Sequence, residues 1–86
     1  MASACTVNKG SRKIGTGSVE AGSASLTSFT LTDSVYNTNI NGFGRKVTIS
    51  ITEAGTHLGR SFETRIAADN GAGTLTLRDA CPFVGA

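Results

Sequence analysis

The chain reads as a small all-β protein, an antiparallel barrel or sandwich of about six strands, and three observations point there. Residues 45–53 (R-K-V-T-I-S-I-T-E) alternate strictly, with Val47, Ile49 and Ile51 on one face and Lys46, Thr48, Ser50 and Thr52 on the other. Residues 61–67 (S-F-E-T-R-I-A) and 74–78 (T-L-T-L-R) alternate again, on either side of the turn-forming A-D-N-G-A-G. Helix signals are missing: no window carries apolar residues at i, i+3, i+4 and i+7 between sensible caps.

The remaining elements follow in order. Residues 1–10 mix apolar and polar positions and are expected to form an N-terminal arm or an edge strand. Residues 13–20 (K-I-G-T-G-S-V-E) predict a strand interrupted by two glycines, which mark a bulge or a sharp bend in a small barrel. Ala21-Gly22 supplies a tight turn. Residues 23–32 (S-A-S-L-T-S-F-T-L-T) predict the next strand; Phe29 and Leu31 share a face while Leu26 falls on the opposite parity, so either a bulge intervenes or Leu26 points to another layer. Residues 33–44 (D-S-V-Y-N-T-N-I-N-G-F-G) form a long loop, and 54–60 a second loop. Residues 79–86 (D-A-C-P-F-V-G-A) form a C-terminal tail. The expected core is Val19, Phe29, Leu31, Val47, Ile49, Ile51, Phe62, Ile66, Leu75 and Leu77.

With 86 residues there is room for one domain. Leu, Ile, Val and Phe number 19, just above the composition at which disorder becomes the default, and the net charge is only +2. The chain therefore folds around a thin core, the kind that gains from oligomerisation, a partner surface or a covalent staple. The first six residues, M-A-S-A-C-T, lack the apolar stretch of a secretory signal, and no run approaches a membrane span. Synthesis in a host cytoplasm and no membrane partner are expected.

Chemistry-bearing residues are sparse. Cys5 and Cys81 would close a long loop if the terminal segments paired; two reduced thiols are the expectation for a cytosolic product. One histidine leaves the chain without a four-ligand zinc set, and neither a metal nor another cofactor is expected. His57 has no sequence context that assigns it a nucleophile and an orienting acid, so it is expected to be a surface loop residue. Gly15-Thr16-Gly17 lacks the following helix of a phosphate-binding loop. No catalytic residue is assigned, and a non-enzymatic protein is expected.

Partner contacts are expected from two groups. Lys9, Arg12 and Lys13 cluster near the N-terminus, with Arg45-Lys46 as a second basic pair. The low net charge and the lack of a stacking pattern among one tyrosine and four phenylalanines argue against nucleic acid and for an acidic protein surface or plain solvated charge. Tyr36, Ile40 and Phe43 in the long loop and Phe83 in the tail would form an apolar patch that wants a partner, unless these segments fold back and cap the ends of the barrel.

The order of pieces resembles small β-proteins of tailed-phage virions. The likeness runs over residues 14–86: a Gly/Ser/Thr-rich hairpin (G-T-G-S-V-E-A-G-S-A-S-L-T), a Val/Ile strand, a hairpin running from F-E-T-R-I to T-L-T-L, and an apolar tail. The asparagine-rich loop at 33–44 departs from it. The resemblance implies a head decoration (cement) protein on the capsid exterior. Such a protein is without catalytic residues, is typically a symmetric oligomer such as a trimer, and is clamped over joints between major capsid protein subunits. It would stabilise the mature shell by its binding free energy, multiplied over a lattice of weak sites. The alternatives are a neck, tail or fibre component of the virion, and a small soluble β-barrel that binds nucleic acid or carbohydrate.

Overall fold

A computed structural model describes residues 2–37 and 44–82. Among them are six strands and no helix: β1 Ala2–Lys9, β2 Arg12–Glu20, β3 Ser25–Leu31, β4 Lys46–Ile51, β5 Ser61–Asp69 and β6 Leu75–Leu77. All neighbours are antiparallel, and the ring β1-β2-β3-β6-β5-β4 closes through β4 against β1. The fold is a barrel rather than a sandwich.

The alternation read from the sequence is the alternation of burial. Val47, Ile49 and Ile51 point inward from β4, Phe62, Thr64 and Ile66 from β5, and Leu75 and Leu77 from β6. Cys5 and Val7 of β1, Ile14 and Val19 of β2 and Leu26 of β3 complete the walls, while Tyr36 and Cys81 come from outside the strands. Each aliphatic side chain fully removed from water contributes about 1.5–3 kcal/mol. A thin core of this kind is sufficient because closure removes both sheet edges.

Three sequence-based expectations change. Residues 2–9, expected as part of an arm or edge strand over 1–10, are neither: β1 is hydrogen-bonded to β2 over its whole length and to β4 from Cys5 to Asn8. The mixed alternation hid this, because a cysteine and a single valine carry the inward face. Leu26, left out of the expected core, is fully buried, and of the two alternatives for its parity the bulge is the one present. Thr16 pairs with Thr30 and Ser18 with Thr27, so Gly17 faces two residues of β3, and Ser28 takes φ +54° to absorb the extra one. Leu31 is exposed and Phe29 only partly buried, because β6 is three residues long and pairs with β3 only at Ser25 and Leu26.

Strict antiparallel order sorts the connections between two mouths. The β1–β2 turn, residues 32–37 and 44–45, and the β5–β6 turn lie at one, here the upper mouth. The β2–β3 turn, the 52–60 loop and the tail lie at the other. β3 and β4 stand on opposite sides of the ring, so residues 32–37 leave one wall at the upper mouth and residues 44–45 enter the opposite wall there. This placement accounts for an aromatic residue in a loop: Tyr36 is buried in the core there.

Candidate functional site

The upper mouth carries a cleft of about 390 Å3 lined by Lys9, Arg12, Asp33, Val35, Tyr36 and Arg45. Lys9 and Arg12 are opposite one another where the β1–β2 hairpin turns. Asp33 lies two residues beyond the end of β3. The Asp33 carboxylate accepts from both Nε and Nη2 of Arg12, the latter at 3.1 Å, and its Oδ1 also accepts the Val35 backbone N–H at 3.0 Å. One aspartate thus forms a local Asx turn and ties the loop to the hairpin. The Arg12 donors, with the Val35 N–H beside them, hold the Asp33 carboxyl below its ordinary range.

The turn that follows is closed by the Tyr36 N–H donating to the Asp33 carbonyl at 3.1 Å. It leaves Val35 75% exposed at the rim and drives the Tyr36 ring inward to 9% exposure. Burial raises the Tyr36 phenol above its ordinary range, and the nearby Arg45 charge opposes that shift. Arg45 is fixed by its backbone: its carbonyl accepts the Ile66 N–H, and the preceding Gly44 donates to the Ile66 carbonyl at 2.7 Å and accepts from Arg65 Nη1 at 2.6 Å. Both walls of the cleft are therefore pinned to the barrel.

Of the partner-binding residues expected from the sequence, Lys9, Arg12 and Tyr36 meet here. Lys13 is exposed on β2, outside the cleft lining. Tyr36 is not an exposed patch residue: it packs into the core from the loop, and only an edge of it reaches the cleft. Ile40, Phe43 and Phe83 lie outside the described residues. Asp33 and Arg45 complete the site. Arg45 was legible only as half of a basic pair, whereas the D-S-V pattern of an Asx turn was a usable signal for Asp33.

The rest of the surface offers less. At the lower mouth a cavity of about 320 Å3 is bordered by Ser3, Ile51, Glu53 and His57. On the barrel side, Lys46 pairs with Glu63 at 2.7 Å near Arg65, Arg78 and Asp79. Thr64 points inward as the buried polar exception; its hydroxyl accepts the Asp79 N–H at 3.0 Å and so fixes the start of the tail. Among the described residues no three His, Cys, Asp or Glu side chains are placed to share a metal ion. No described helix is long and apolar enough to cross a membrane.

Cys5 and Cys81 are both free and both buried. The Cys5 thiol faces the Gly17 carbonyl at 3.5 Å. The tail is docked by Cys81, whose N–H donates to the Ser23 carbonyl at 2.8 Å and whose carbonyl accepts the Gly22 N–H at 3.0 Å. Burial, reinforced by the neighbouring Cys81, pushes the Cys5 thiol up to about 11.

No protein-family model, curated protein or solved structure matches this chain.

Proposed function

We propose that this chain is a non-enzymatic structural protein of a phage virion, a head decoration protein that binds the major capsid protein through its upper mouth. One observation carries the proposal: a rigid, closed barrel gathers Lys9, Arg12, Arg45, Tyr36 and the exposed Val35 around a single cleft at one end. Charges at the rim beside an aromatic side chain and an apolar one are the ingredients of a protein-contact surface. A barrel with a 34 × 20 × 20 Å envelope would cover a joint between larger subunits without deforming. Each copy that binds the shell and not its unfolded subunits adds its binding free energy to the shell.

Quantitative mass spectrometry on purified particles tests this by counting copies against the major capsid protein. A number comparable to that of the capsid subunit is expected. A handful of copies would move the protein to the neck, tail or fibre, and absence from the particle would overturn the virion assignment.

A further inference from the structure

We infer that the upper-mouth cleft receives an acidic segment of a protein partner, whose carboxylates sit against Lys9 and Arg45. The inference rests on the cleft being the docking surface proposed above and adds the chemistry of what docks there.

The charges in the cleft do not balance. Lys9, Arg12 and Arg45 converge on it, and among the described residues Asp33 is the only carboxylate in its lining. Arg12 is paired with Asp33 through Nε and Nη2. Among the described residues Lys9 and Arg45 have no ion-pair partner, and both are exposed. Two cations thus line one cleft on a fixed scaffold without an ion-pair partner of their own among the described residues. Lys9 stands on a strand end paired with Arg12, and Arg45 is anchored through Gly44 and Ile66. Holding the cations in place in advance lowers the cost of ordering them on binding.

The lining favours carboxylates over phosphates. The Arg12–Asp33 pair is a two-point guanidinium–carboxylate contact, the geometry for which arginine is suited, and it sits on the wall next to the free cations. The apolar flank from Val35, beside the edge of Tyr36, suits a peptide whose acidic residues are interleaved with aliphatic ones. Nucleic acid is the poorer match. Single-stranded nucleic acid needs exposed aromatic faces for stacking, and Tyr36, the aromatic in this lining, is 9% exposed with its ring in the core. The cations form a cluster at one mouth rather than a stripe that tracks a phosphate backbone.

The test is a titration of the isolated, isotopically labelled protein followed by amide resonances. The probes are a hexapeptide alternating glutamate with valine and an oligothymidylate of the same charge. The peptide is expected to shift the resonances of Lys9, Arg12, Val35 and Arg45, and to do so less as salt rises. The Lys9→Glu/Arg45→Glu double variant should lose at least about tenfold in affinity. A charge-matched control, Arg60→Glu/Arg78→Glu, should keep it. Circular dichroism confirms that both variants are folded. Stronger shifts with the oligothymidylate would overturn the inference in favour of nucleic acid. No shift with either probe, or equal loss in the control, would overturn it outright. The count of copies per particle is independent of this titration, so the inference and the virion proposal fail separately.

Discussion

Gly15 lies beneath the ring of Phe29. A Cβ on Gly15 would run into Cε1 and Cζ of that ring and stand 2.8 Å from the Thr30 carbonyl oxygen. Phe29 reaches this position because the Ser28 bulge turns it toward β2, and β2 admits it because position 15 has no side chain. Gly17 is held the same way, with a Cβ there 2.9 Å from the Thr27 carbonyl and 3.2 Å from Leu26 Cγ. Both glycines serve close approach between two strands, since neither has a positive φ.

Gly15→Ala should therefore destabilise the fold by about 1–3 kcal/mol, the usual cost of overpacking a filled site. The second variant Gly15→Ala/Phe29→Ala should lose less than the sum of the two single changes, because removal of the ring relieves the clash. Urea denaturation gives both values. An unchanged midpoint for Gly15→Ala would show that Phe29 does not hold this position.

Removal of residues 2–9 should abolish cooperative unfolding rather than leave an intact β-fold. β1 supplies Cys5 and Val7 to the core and closes the ring against both β2 and β4. Its loss leaves two strands with unpaired edges and buried faces open to water. Thermal melts of the truncated chain check this, and a sharp transition near that of the full chain would contradict it.

Cys5 should resist thiol reagents in the native state at neutral pH and react on unfolding, since the thiolate is the nucleophile and burial holds it back. The pH dependence has a definite sign. The folded thiol titrates at about 11 against an ordinary value of 9.0, so the unfolded chain loses its proton first. Stability from this group is constant below pH 9 and declines between pH 9 and 11. The Tyr36 shift acts in the same direction at higher pH. Denaturation midpoints for wild type and Cys5→Ala across this window should converge as pH rises; parallel curves would rule out Cys5 as the cause.

Asp33 titrates below its ordinary value of 3.8 because Arg12 donates to its carboxylate. The contact is present above that pH and is lost as the carboxyl is protonated below it. In Arg12→Ala the Asp33 midpoint, followed by carboxyl carbon shifts, should move up toward 3.8. A midpoint that stays depressed would assign the effect to the Val35 N–H alone.

Much of the barrel was legible because β4, β5 and β6 each keep a strict two-residue period, and Val47, Ile49, Ile51, Phe62, Ile66, Leu75 and Leu77 all face inward as that period requires. Legibility failed where a tertiary contact changed the local rule. The bulge at Ser28 reversed the parity of β3 and so buried Leu26, while the short β6 left Leu31 uncovered. β1 hid its inward face behind Cys5, and β2 began it at Ile14, one residue from the lysine that seemed to open the strand. The cleft was half visible: its cations stand out in the chain, but only barrel closure, which sets the end of β3 and the start of β4 at one mouth, brings Arg45 and Asp33 to Lys9 and Arg12.

The closure of β1 on β4 also sets an order of events in time. On β1 the partners on one side are near at hand, Lys9 against Arg12, while those on the other are as distant as Cys5 against Ile51. β3 likewise waits for Leu75 and Thr76. Such long-range pairings make folding slow relative to chains rich in local contacts. During synthesis the first hairpin can zip as soon as it emerges, yet it keeps Cys5 and Val7 uncovered until the middle of the chain has left the ribosome. The nascent protein therefore passes through a period in which its earliest strand offers an open edge and an apolar face to its neighbours. Crowded translation, rather than the finished barrel, is where this fold is most exposed to misassembly.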